Sequence, residues 1–173
     1  MYMRQETRVK SQNGQLLVEL MVAMSLMMIG LLGIFAVLSQ SLGLSRVAAN
    51  QYIAANLAAE GIEVTKNILD KNFINGDQWN LGFQGNGDYA VEFDSTSLIG
   101  DENTINSPLR YDETTRTYNY SVGRRTNFVR KIIIENVGPT EIKVTSKVEW
   151  KDRGGIDFEM EVEDRFRSWR ESL

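Results

Sequence analysis

Glu19 is the first residue that asks for a chemical explanation. It stands in Leu16-Leu17-Val18-Glu19-Leu20-Met21-Val22, a single carboxylate in an apolar run. A carboxylate at the centre of a membrane helix costs about 2.5–3.5 kcal/mol on insertion scales, and less near the interface. A helix that only anchors a protein gains nothing from that cost. Two explanations stand open. Glu19 can reach back to the headgroups from its place near the start of the run. Alternatively, it meets an amine or basic residue at the same depth on a neighbouring chain.

The remaining candidates are few. The 173 residues include no His and no Cys. That excludes Ser-His-Asp and Cys-His nucleophilic arrangements, disulfides, zinc thiolates and haem attachment. Carboxylate, Lys and Ser chemistry stays open, but no constellation supports it, so no catalytic residue, cofactor or metal is expected. Asp70, Asn72 and Asn75-Gly76 suggest a calcium loop, yet the EF-hand spacing fails. Position five would be Ile74, the glycine is displaced by one, and position twelve is Leu81 where Glu is needed. Arg124-Arg125 and Arg130-Lys131, with Tyr118, Tyr120 and Phe128 nearby, could form a basic and aromatic nucleic-acid patch. The surrounding charge argues against that partner. Residues 60–173 carry 15 Lys and Arg against 21 Asp and Glu, a net charge of −6.

The elements that must carry these residues can be read from pattern. Residues 20–38, LMVAMSLMMIGLLGIFAVL, hold no charge and one hydroxyl, close to the roughly 20 residues that cross a bilayer as a helix. Ahead of them, residues 1–14 carry Arg4, Arg8 and Lys10 against Glu6, so the N-terminus is expected to stay cytoplasmic. The apolar run is too long for an ordinary cleaved secretory signal, and the best small-residue cut site, Val47-Ala48-Ala49, lies well past it.

Beyond Leu38 nothing breaks the helix, because no Pro precedes Pro108. Leu42, Ala49, Ile53, Leu57, Gly61, Val64 and Ile68 fall on one helical stripe, with Asn56, Glu63 and Asn67 off it. One helix over residues 16–71 would be 56 residues, roughly 84 Å long. Asn75-Gly76-Asp77 supplies turn chemistry to end it.

The C-terminal part reads as strands, over 118–122, 128–137 and a final hairpin. In the hairpin Ile142, Val144, Val148 and Trp150 alternate with charged residues, as do Ile156, Phe158, Met160 and Val162. Pairing Trp150 with Ile156 would set Lys147 opposite Glu159 and Lys143 opposite Glu163. One apolar sheet face and one apolar helix stripe satisfy each other. The expected fold class is therefore α+β: a long N-terminal helix, membrane-spanning in its first half, packed by a C-terminal antiparallel β-sheet.

Gly14-Gln15-Leu16-Leu17-Val18-Glu19-Leu20-Met21-Val22-Ala23 resembles the processing site of type IV prepilins and pseudopilins. That family has a short basic leader, a Gly, and an apolar stretch with a Glu five residues past the Gly. Ala54–Glu63 also resembles the helix of a branch of minor pilins. The resemblance implies that a prepilin peptidase cuts between Gly14 and Gln15 and N-methylates Gln15. It implies a register role for Glu19, which would meet the free amine of Gln15 on a neighbouring subunit. It also implies the pilin fold.

Two departures stand out. The family's usual Phe or Met after the cut is Gln15 here, and the helix-softening Pro of many major pilins is absent. Gly30 and Gly33 would serve close helix packing. These features fit a minor pilin or pseudopilin more than a major one.

The expected organisation is a removed leader at 1–14, a long helix at 15–71 with its filament core or membrane span at 16–44, and an exterior β-rich head at 72–173. The expected partners are other pilin or pseudopilin subunits, the prepilin peptidase and the lipid bilayer, with nucleic acid disfavoured. The expected place is the bacterial cytoplasmic membrane, single-pass with the N-terminus inside, and then an extracellular or periplasmic filament. The competing reading is a single-pass anchored exterior binding or sensor domain that does not polymerise.

Overall fold

The computed structural model describes residues 13–152 and 154–168. The expected leader lies outside them apart from Asn13 and Gly14. The fold is α+β, a long N-terminal helix packed against a C-terminal antiparallel sheet. Helix α1 spans Asn13–Asn75 in 63 residues. Its sequence is rich in Leu, Met and Ala and free of Pro, the composition that sustains a helix.

The chain divides into two compact units, Met1–Arg46 and Val47–Leu173. In the first, every described side chain from Gly14 to Arg46 is exposed, and the large apolar ones are between 49% (Leu31) and 70% (Leu44) open. This stretch is apolar and long enough to cross a membrane.

In the second unit the helix is amphipathic. Ala54, Leu57, Ala58, Val64, Thr65, Ile68 and Leu69 are buried, and Asn56, Glu63 and Asn67 are exposed. Those buried positions recur at three and four residues, the spacing of one helix face. The face stops where the chain needs it to. Gly76 takes φ +76°, Gly76 N donates to Phe73 O at 3.3 Å, and Asp77 N donates to Asn72 O at 3.0 Å. This left-handed glycine cap satisfies carbonyls that the helix would otherwise leave open.

Four antiparallel strands face that helix in the order β1 (Gly87–Tyr89), β5 (Phe128–Gly138), β6 (Glu141–Lys151) and β7 (Asp157–Arg167). Between β1 and β5 lie a short helix α2 (Glu102–Ile105) and a second sheet. That sheet has β2 (Arg110–Asp112) between β3 (Thr117–Asn119) and β4 (Arg124–Arg125). Alternation decides the inward faces: Phe128, Arg130, Ile132 and Ile134 on β5, and Ile142, Val144, Val148 and Trp150 on β6. The core falls into two clusters along the helix. Ala54, Leu57 and Ala58 pack with Leu109, Phe128, Val148 and Trp150. Val64, Ile68 and Leu69 pack with Phe83, Val91, Ile132, Ile134, Ile142 and Val144.

The β6–β7 hairpin forms with the expected faces but a different register. Trp150 pairs with Phe158, two residues from the expected partner Ile156. The turn explains the difference. Asp152 N donates to Ile156 O at 3.0 Å, and Gly155 takes φ +77°, so Ile156 belongs to the turn and is 61% exposed. A two-residue shift preserves sidedness because strand side chains alternate with period two. The expected ion pairs survive as diagonals, with Lys147–Glu159 at 2.8 Å and Lys143–Glu163 at 4.0 Å.

Candidate functional site

Gly14, Gln15 and Glu19 all lie on α1 and are exposed. Gln15 and Glu19 stand four residues apart, on one helix face. Among the described residues the Glu19 carboxylate has no ion-pair or hydrogen-bond partner. The one hydroxyl of the apolar run is satisfied internally, because Ser25 Oγ donates to Met21 O at 2.8 Å. A side-chain carbon added at Gly30, Gly33 or Gly43 would meet nothing within 4 Å. Among the described residues these glycines therefore serve no contact. Residues 14–46 are thus an apolar helix whose one carboxylate, Glu19, is unpaired among the described residues.

The basic cluster read from sequence is divided by the fold. Arg130 is fully buried, and its Nη1 lies 3.0 Å from Glu60 Oε1 on α1. Nη1 also donates to Leu57 O at 3.1 Å, and Nη2 donates to Val91 O at 2.7 Å. Tyr120 Oη donates to the Arg130 carbonyl at 3.3 Å, and burial pushes the Tyr120 phenol above its usual range. Arg130 therefore joins the helix, β5 and the segment after β1, and is no part of a surface patch. Its parity with Phe128, Ile132 and Ile134 is the signal that places it inside.

Arg124 and Arg125 remain outside, on β4. The register sets Arg125 opposite Arg110 and Arg124 opposite Tyr111, which lies 5.1 Å from Tyr118 between ring centres. Burial, together with the neighbouring Tyr111, pushes the Tyr118 phenol up. Beside β4 an open groove of about 960 Å³ runs past Pro108, Arg125, Val129, Trp150 and Phe158.

Of the residues that suggested a calcium loop, Asn72 serves the chain's own structure. Asn72 Nδ2 donates to Trp79 O at 3.2 Å and to Leu81 O at 3.0 Å, tying the helix end to the following turn. Among the described residues no group of three or more His, Cys, Asp or Glu could hold a metal ion.

The layout, an apolar N-terminal helix followed by a β-sheet, is pilin-like. Comparison with known proteins found no matching family model, curated relative or solved structure.

Proposed function

We propose that the chain is a minor type IV pilin or pseudopilin, a structural subunit and not an enzyme. The observation that carries this reading is the first unit. From Gly14 to Arg46 its apolar side chains are uncovered, and Glu19, the one carboxylate of that stretch, has no partner among the described residues. Such a surface requires a bilayer or other apolar helices around it. In a bilayer the single-pass helix waits with its basic N-terminus inside. In a filament the same surface is covered by the helices of neighbouring subunits.

The prepilin peptidase cuts between Gly14 and Gln15 and methylates the new amine of Gln15. That amine then meets Glu19 of the adjoining subunit. Two opposite charges in an apolar bundle are costly apart and tolerable together, so the pair selects one axial register.

The test is intact-mass and N-terminal analysis of full-length protein taken from the membrane of a host with a prepilin peptidase. The expected start is Gln15 carrying a methyl group. An intact leader would overturn the reading and leave a membrane-anchored exterior domain that does not polymerise.

A further inference from the structure

We propose that the β3–β2–β4 sheet is a docking face for a second copy of this chain, which presents Asp77 and Asp88 to it. This deepens the filament reading and rests on it for its setting.

Charge is sorted sharply within the second unit. Residues 72–109 hold six Asp and Glu and no Lys or Arg. Residues 110–131 hold six Lys and Arg against two acids. The small sheet concentrates the second group, because Arg110 and Arg125 are directly opposed across β2 and β4, with Arg124 next along. Like charges directly opposite are destabilising. Only a backbone contact, Arg110 Nη1 to Gly123 O at 3.2 Å, eases that opposition.

Arg110, Arg124 and Arg125 on one side, and Asp77 and Asp88 on the other, find no counter-charge at home among the described residues. Among the described residues, the ion pairs join α1 to β5 or run along β5, β6 and β7. None uses Arg110, Arg124 or Arg125, and none uses Asp77 or Asp88. The carboxylates across the groove from Arg125 are already engaged. Glu149 and Glu159 hold Lys147 at 3.1 and 2.8 Å, and Asp157 holds Lys151 at 3.1 Å.

Position keeps Asp77 and Asp88 away from the three arginines within one copy, whereas Glu92 already accepts from Tyr120 N beside β3 at 2.8 Å. β4 leads directly into Phe128, which packs at the Ala54–Leu57 end of the buried helix face. Asp88 pairs with Ile133, beside the Ile132 and Ile134 that pack on Val64, Ile68 and Leu69. Five strand residues separate these levels, about 16 Å. Asp77 lies past the helix cap at that second end. Arg110, Arg124 and Arg125 at one end of the unit and Asp77 and Asp88 at the other make a head-to-tail contact between two copies.

The experiment uses full-length chains with two different tags, mixed in nonionic detergent, and reads co-purification. Arg124→Glu with Arg125→Glu is expected to lower it about tenfold, because like charges then face each other. Combining Arg124→Glu and Arg125→Glu with Asp77→Lys and Asp88→Lys in every copy is expected to restore it. Co-purification that ignores the first reversal, or that the second fails to restore, overturns the proposal. So does loss of duplex DNA or anionic vesicle binding in the arginine variant while copies still associate. An uncleaved leader would sink the filament reading alone, since this association is read on unprocessed chain.

Discussion

Arg130 on β5 and Glu60 on α1 form an ion pair at 3.0 Å whose cation is entirely buried. The guanidinium also holds the carbonyls of Leu57 and Val91, so one side chain joins three segments. Its Nε has no partner among the described residues, which marks the site as one of fit more than of surplus stability. Arg130→Ala is expected to destabilise the protein by about 3–5 kcal/mol, since it strands polar groups in the core. Glu60→Gln should cost less. That carboxylate is 33% exposed, and the amide oxygen still accepts. Denaturant unfolding of detergent-solubilised protein, followed by tryptophan fluorescence, checks both.

Gly61 lies where α1 packs tightly on β6 and β5. A side-chain carbon there would collide with Ser146 Oγ and sit 2.8 Å from Ile132 Cδ1. Gly61→Ala should therefore destabilise by about 1–3 kcal/mol through overpacking, although Ala is the better helix former by about 1 kcal/mol. Among the described residues Ser146 Oγ has no hydrogen-bond partner, so Ser146→Gly should recover part of the loss. Unfolding curves of the single and double variants give the coupling.

Glu141 accepts from Arg167 Nε at 2.7 Å and Arg165 Nη1 at 3.2 Å, and these bonds hold its carboxyl below the ordinary 4.5. A depressed carboxylate stabilises the fold fully above the unfolded chain's value. The contribution shrinks as pH falls from there and is gone below the lowered folded value. Carboxyl titration by NMR should show Glu141 titrating low, and Arg167→Ala should return it toward 4.5. Asp101, which caps α2 by accepting from Thr104 N at 2.9 Å, should titrate low for the same kind of reason.

Glu19→Ala separates insertion from assembly. Removing the carboxylate eases insertion by up to about 3 kcal/mol, so membrane levels should hold or rise. Filament incorporation, read by shearing filaments from cells, should fall sharply. Normal incorporation of the variant would remove the register role from Glu19.

The sequence alone determined the two apolar patterns and hence the α+β class. A run of nineteen residues without charge, a helical stripe and an alternating hairpin are local periodicities, and each needs only its own neighbours to be read. The leader motif and Glu19 are local in the same sense. Tertiary structure decided what depends on residues far apart in the chain. Arg130 reads as surface charge beside Lys131, and only the facing Leu57, Glu60 and Val91 make it an internal strut. The hairpin register turned on Gly155 taking a left-handed φ, which moved Ile156 out of the strand. Arg110 and Arg125, fifteen residues apart in the chain, became neighbours only when β2 paired with β4. Periodicity sets which face a residue presents, and long-range pairing sets what that face meets.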